Sequence, residues 1–192
     1  MARNVEFNEE DAIQKAMEVF WKKGYSGASM RDLTDAMHIN SSSLYNTIGD
    51  KRQLFVRCIR SYTQGRMQEA LTRSAQFKSP LEAIIHYING SVNTILYSNN
   101  SCLAIKTTFE LAATDPDVQA ILREDSDFSH QFLLNLIKKA IEQKELNSDT
   151  DPEALTDYIV NVFTGWHETY ILHQNPIRIK KMAHYLIKQI SR

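Results

Sequence analysis

Each of the four prolines in this 192-residue chain directly follows a side chain able to cap a helix: Ser79-Pro80, Asp115-Pro116, Asp151-Pro152 and Asn175-Pro176. Proline lacks the amide that a first helical turn leaves unbonded anyway, and its fixed φ suits that turn. Each pair is followed by apolar residues at helical spacing, so four helix starts are marked. The first is strengthened by Glu82, which completes a capping-box pattern with Ser79. The spacing predicts helices over about 80–97, 116–145, 152–173 and 176–190. A shorter one is expected from about Cys102 to Ala113, and a long one from Lys51 to about Ser74. No stretch alternates with the period of a sheet, and there is no internal repeat or low-complexity segment. The expected fold class is all-α, with about nine helices.

The stretch from Gly24 to Lys51 holds three more punctuation marks within about thirty residues. Ser29 can cap a helix over about 30–37, with Asp32 returning the bond and Leu33, Ala36 and Met37 on its apolar side. His38, Ile39 and Asn40 make a turn, and Asn40 or Ser41 can cap the next helix. In that second helix Leu44 and Ile48 face inward, while Ser42, Ser43, Tyr45 and Asn46 point elsewhere. Gly49 suits a left-handed helix end, and Asp50 with Gln53 makes another capping box. Two short helices on a tight turn, the second carrying small polar and aromatic groups, are how a chain builds a reader of the DNA major groove. Arg31 near the start of its helix can reach a guanine edge or a phosphate. Ser29 can offer hydroxyl and amide groups to the DNA backbone, or serve only as a cap.

Residues 7 to 60 resemble the N-terminal DNA-binding domain of the TetR family of bacterial transcriptional regulators. The run AMEVFWKKGYSGASMRDLTDAMHINSSSLYNTIGDKRQLF carries the resemblance: Phe20 with Gly24, Ser29 and Leu33, then Leu44 with Tyr45, then Gly49 with Lys51. The family usually has Gly where His38 stands, and a small residue where Ser42 stands. His tolerates the left-handed region better than most side chains. The resemblance implies a first helix, here about Glu9 to Lys23 with Ile13, Ala16, Met17 and Phe20 inward, packed on the helix-turn-helix. It also implies a DNA-binding domain over residues 1–50 and a ligand-binding and dimerisation domain over 51–192. Tyr45 and Lys51 match family residues that contact phosphate; the alternative for Tyr45 is packing against Phe20. The DNA-contacting set is therefore expected to be Ser29, Arg31, Ser41, Ser42, Ser43, Tyr45, Asn46 and Lys51, reading a double-stranded operator.

The net charge of −1 hides an uneven distribution. From Val19 to Arg66 there are eight basic residues against three acidic ones, whereas residues 67–192 carry twelve against fifteen. The basic end coincides with the expected DNA reader. No apolar run approaches the length of a bilayer span, and MARNVEFNEED lacks the apolar core of a secretion signal, so a cytoplasmic protein with no membrane association is expected. Two cysteines, Cys58 and Cys102, make neither a disulfide framework nor a metal-spacing pattern.

The helix expected at 152–173 is apolar on two sides. Leu155, Ile159, Phe163, Trp166 and Tyr170 form one, and Tyr158, Val162, Gly165, Thr169 and Leu172 the other. A helix apolar nearly all round must be covered nearly all round. One side can meet the domain's own core and the other a second subunit, or both can be buried within a monomer. The family resemblance implies a homodimeric four-helix interface on the last two helices, here drawing on Tyr158, Val162, Gly165, Thr169, Met182 and Leu186. A twofold protein reads a near-palindromic operator.

The resemblance also implies a cavity for an unidentified small-molecule effector among the helices from Lys51 onward. Tyr62, Tyr87, Cys102, Phe109, Trp166 and Tyr170 are its candidate lining, with core packing the alternative for each. Cys102, after Asn99, Asn100 and Ser101 at a helix start, is either a redox-sensing thiol or core packing. Cys58, in step with Leu54 and Tyr62, reads as buried and inert.

Enzyme patterns fail. HETYI from His167 lacks the second histidine of a zinc helix, since Ile171 stands there. There is no Gly-rich phosphate loop, GxSxG or paired Glu-x-x-His, and nothing calls for a cofactor. The sequence reads as a ligand-released repressor, with a ligand-independent DNA-binding or partner-recruiting dimer as the other possibility.

Overall fold

A computed structural model describes residues 8–97 and 102–191. The described residues form nine helices and no strand: α1 Glu9–Gly27, α2 Met30–Met37, α3 Ser41–Thr47, α4 Lys51–Ser74, α5 Pro80–Tyr97, α6 Leu103–Leu111, α7 Pro116–Glu142, α8 Pro152–His173 and α9 Pro176–Ile190. The all-α class expected from the sequence is the observed one.

The helix starts fall where local side chains satisfy first-turn amides. Asp151 accepts from the amides of Glu153 and Ala154, and Asn175 from that of Arg178. Asp115 accepts from Asp117 and Val118. At α5, Ser79 Oγ accepts from the Glu82 amide at 3.1 Å. The second half of that cap comes from elsewhere: Glu145, just beyond α7, accepts from the Leu81 amide at 2.8 Å and from the Ser79 hydroxyl. The bend that brings Glu145 back follows Lys144, which is left-handed at φ 60, and ends α7 three residues earlier than expected.

The chain divides into two compact units. The first comprises the described residues up to Gln64 together with Leu103–Leu122; the second comprises Gly65–Cys102 and Arg123 onward. The boundary expected at residue 50 differs for a physical reason. Leu54, Phe55, Cys58 and Ile59 of α4 are fully buried, and Phe55 meets Phe20 of α1 edge-on at 4.9 Å. The first half of α4 thus shares the core of α1–α3. Cys58 is inert as expected: its thiol reaches the Ile13 carbonyl, and burial pushes its pKa up to about 12.

In the second unit Ile84, Ile88, Val92 and Ile95 of α5 pack with Leu133 and Ile137 of α7, Ile159 and Trp166 of α8, and Ile179, Ala183 and Leu186 of α9. Leu155, Phe163 and Tyr170 lie against this core, so the side of α8 expected to face inward does so.

Candidate nucleic-acid interface

The reader is built from caps outward. Ser29 Oγ accepts from the Asp32 amide at 3.1 Å while Asp32 accepts from the Ser29 amide at 3.0 Å, a full capping box. Lys23 approaches Asp32 at 2.6 Å; that bond, with those from Ser29, holds the Asp32 carboxyl well below the usual carboxylate range. Leu33 is fully buried, and Thr34 is buried where Ala36 was expected, its hydroxyl turned back to the Met30 carbonyl. The helix ends at His38, left-handed at φ 56 and ψ 38, whose amide donates to Thr34 and Asp35. Asn40 then caps α3, accepting from the Ser43 amide at 2.7 Å.

In α3 only Leu44 is buried, and Ile48 follows it inward. Ser41, Ser42, Tyr45 and Asn46 are exposed at i, i+1, i+4 and i+5, which places them along one helical edge. Tyr45 is 54 % exposed, so it does not pack on Phe20; Tyr25 takes that place, stacked at 6.3 Å. The Arg31 side chain is 91 % exposed with only a loose approach to Asp35 at 3.7 Å, while the Ser29 hydroxyl is engaged in its cap. Gly49 turns at φ 108, and Asp50 and Gln53 exchange amide bonds at 2.8 and 2.9 Å. Lys51, at the head of α4, holds its ammonium 4.6 Å from the centre of the Tyr25 ring. The result is an uncovered polar edge on α3, with exposed Arg31 in the first turn of α2, Lys51 at the head of α4 and an apolar back locked into a core: the geometry of a helix-turn-helix DNA reader.

Comparison with known proteins agrees. Residues 12–58 match the model of the bacterial regulatory proteins of the tetR family, and residues 79–186 match the tetracyclin repressor-like C-terminal domain. The chain is 32 % identical over 162 residues to an uncharacterized HTH-type transcriptional regulator, YezE, of Bacillus subtilis (strain 168), covering 83 % of this chain and 84 % of that protein. It is 23 % identical to the HTH-type transcriptional repressor DhaR of Mycobacterium sp. (strain GP1), covering 80 % and 77 %. Among solved structures, a cysteine-substituted form of the TetR family transcriptional regulator CifR, complexed with 26-base-pair double-strand operator DNA, superposes with a TM-score of 0.81 at 25 % identity, covering 97 % of this chain and 98 % of that one. The chain belongs to the TetR family: it is a DNA-binding transcriptional regulator and not an enzyme. No described helix is long and apolar enough to cross a membrane.

The residues expected to line an effector cavity separate. Tyr62 lies in the first unit, edge-on to Trp21 at 5.2 Å. Phe109, also in the first unit, is 78 % exposed; at that position on α6 its side chain faces outward, and it lines no enclosed space. Tyr87, Cys102, Trp166 and Tyr170 lie in the second unit. Cys102 is buried at 4 % exposure; the residues argued to activate it, Asn99 to Ser101, lie outside the described residues.

The second unit also holds polar groups that sequence reading did not gather. Arg66 of α4 pairs with Asp125 of α7 at 2.9 Å, and Asp125 is 7 % exposed. Burial raises the Asp125 pKa against the pull of Arg66. The Tyr87 ring lies against Phe132 and Phe163 at 5.4 and 5.9 Å. His167 is 4 % exposed and its Nδ1 has no hydrogen-bond partner. Burial, helped by the Arg66 cation, brings its pKa down to about 4. An imidazole with a folded pKa below its ordinary 6.5 is protonated first in the unfolded chain, so stability is retained above pH 6.5 and lost as pH falls toward 4. By that shift the loss reaches up to about 3 kcal/mol. Denaturant titrations of the protein and of His167→Gln across pH 7.5 to 4 check this: the variant is expected to lack that decline.

The interface residues expected on α8 and α9 are placed unequally. Tyr158 is 56 % exposed, Gly165 is exposed with open space where a Cβ would stand, and Val162, Thr169 and Met182 are half-buried. Leu186 differs: at 4 % exposure it belongs to the core of its own unit, because α9 turns it onto α5 and α8. Tyr185 and Leu172, at 63 and 68 % exposed, extend the uncovered apolar side. A hollow of about 300 Å³ among Tyr158, Val162, Trp166, Met182 and Tyr185 makes that side uneven.

Proposed function

We propose that the protein is a repressor that grips a near-palindromic operator as a homodimer and is released by a small-molecule effector. The observation that carries the DNA reading is the exposed edge of Ser41, Ser42, Tyr45 and Asn46 on a helix whose other side is locked by Leu44 and Ile48. Hydroxyls and an amide on that edge suit base edges and phosphates, and Lys51 suits a phosphate. The uncovered apolar side of α8 and α9 supports pairing with a second copy, which sets two readers at half-site spacing. An unpartnered buried imidazole within reach of the Arg66 charge, in a unit that also holds the Arg66–Asp125 pair and a cluster of aromatic rings, supports an effector site in the second unit. A lone neutral polar atom there costs stability unless something bonds it. The burial of Cys102 speaks against a surface thiol sensor.

The DNA reading is tested with an operator selected from random duplexes. Lys51→Ala is expected to weaken binding to all sequences alike and to reduce the slope of log affinity against log salt by about one. Tyr45→Phe is expected to weaken binding across sequences by removing one phosphate-bonding hydroxyl. A Lys51→Ala slope equal to that of the parent removes Lys51 from the phosphate contacts.

A further inference from the structure

The sharpest polar geometry in the first unit lies away from the recognition helix. Gly24 breaks α1 with φ 73 and ψ 173, so the amides of Tyr25 and Ser26 lose their helical acceptors. Both turn to one carboxylate: Glu110 of α6 accepts from Ser26 at 2.8 Å through Oε1 and from Tyr25 at 3.0 Å through Oε2. The left-handed φ favours glycine at residue 24, and a Cβ there would stand 3.0 Å from Oε2 and press on the carboxylate. One turn earlier on α6, Lys106 donates to the Trp21 carbonyl at 3.0 Å. These two side chains, at i and i+4, tie the end of α1 to α6 at two points. Burial acts to raise the Glu110 pKa, but the amides of Ser26 and Tyr25, the Ser26 hydroxyl and the Lys51 charge outweigh it and keep the carboxyl ionised.

What the carboxylate holds matters for reading. Residue 25 follows the break, and its ring stands edge-on to Phe55 at 5.0 Å with the Lys51 ammonium over its face. Residues 26–28 then lead directly into the Ser29 cap of α2. We propose that Glu110 is a positioning residue for DNA binding: by clamping the Tyr25 and Ser26 amides it fixes the entry to α2 and, through the Tyr25 ring, the place of Lys51. The residue belongs by sequence to the segment matching the C-terminal family domain, yet lies in the DNA-reading unit.

The test is Glu110→Gln in the full-length protein, with operator affinity measured across salt and active fraction by stoichiometric titration. A glutamine offers only one acceptor and sets an amide group against the second N–H. Deleting a negative charge from a DNA-binding unit through long-range electrostatics alone tightens DNA binding. Positioning demands the opposite sign. The expected result is affinity weaker by about tenfold, a salt slope reduced by no more than the about one unit that loss of the Lys51 contact accounts for, and an unchanged active fraction. Gly24→Ala, which crowds the same carboxylate from the other side, is expected to weaken binding likewise, and the double variant to cost less than the sum of the two. Parental or tighter affinity in Glu110→Gln overturns the proposal, as does a loss confined to active fraction or an additive double variant. The Lys51→Ala salt slope reports separately on the phosphate contact, so failure of that contact and failure of the clamp are told apart.

Discussion

Val162→Asp is expected to break the proposed homodimer and to lower operator affinity by more than about a hundredfold, because in that reading one reader then binds without its twin. Val162 sits at the middle of the uncovered side of α8, beside Tyr158 and the hollow bordered by Met182 and Tyr185. It is half-buried and its inner side packs against the core around Ile159 and Trp166, so a denaturant midpoint is measured alongside the mass to show that the variant stays folded. Between two copies the same carboxylate would be desolvated, and Lys181, which lines the same hollow, would have to leave solvent to meet it, so the pairing is weakened. Sedimentation equilibrium gives the mass, and gel shift on the selected operator gives the affinity. A variant that still sediments as a dimer places the interface elsewhere. Single-copy mass in the unsubstituted protein would remove the homodimer altogether.

Phe20→Ala is expected to destabilise the DNA-reading unit by about 3–5 kcal/mol. The ring is fully buried, meets Phe55 at 4.9 Å and 84°, and stacks near Tyr25. It therefore joins α1, α4 and the turn after Gly24 in one contact. Against a total stability of about 5–15 kcal/mol for a typical domain, such a loss melts much of the unit at working temperature. DNA binding fails with it although Phe20 touches no DNA. Phe109→Ala is the matched control: the same chemical change at a ring 78 % exposed is expected to shift stability by no more than about 0.5 kcal/mol. Denaturant midpoints of both variants decide the matter, and equal midpoints would show that Phe20 is not the keystone the packing indicates.

The caps account for how much of the fold could be read without coordinates. α2 spans Met30–Met37, α5 Pro80–Tyr97, α8 Pro152–His173 and α9 Pro176–Ile190, the ranges expected from Ser29, Ser79, Asp151, Asn175 and the prolines beside them. A cap acts over three residues, so its evidence lies wholly within a short window of sequence. The left-handed turn at His38 and the inward pair Leu44 and Ile48 were visible for the same reason, since periodicity and turn chemistry are local. Leu186 shows the limit. Helical spacing put it on an apolar side but did not say whether α5 or a second copy would cover that side.

Sequence alone therefore determined the helices, the helix-turn-helix and the uncovered polar edge of α3, because each rests on side chains within about one turn of the backbone they satisfy. Tertiary structure alone decided which distant groups meet. Glu110 reaches the Tyr25 amide across 85 residues, Arg52 reaches Asp115 across 63, and Arg66 reaches Asp125 across 59. It also buried His167, which on its own helix is one polar residue among several. Long-range partners depend on how helices are arranged around a core, and that arrangement minimises exposed apolar area over the whole chain at once, a quantity no short stretch of residues carries.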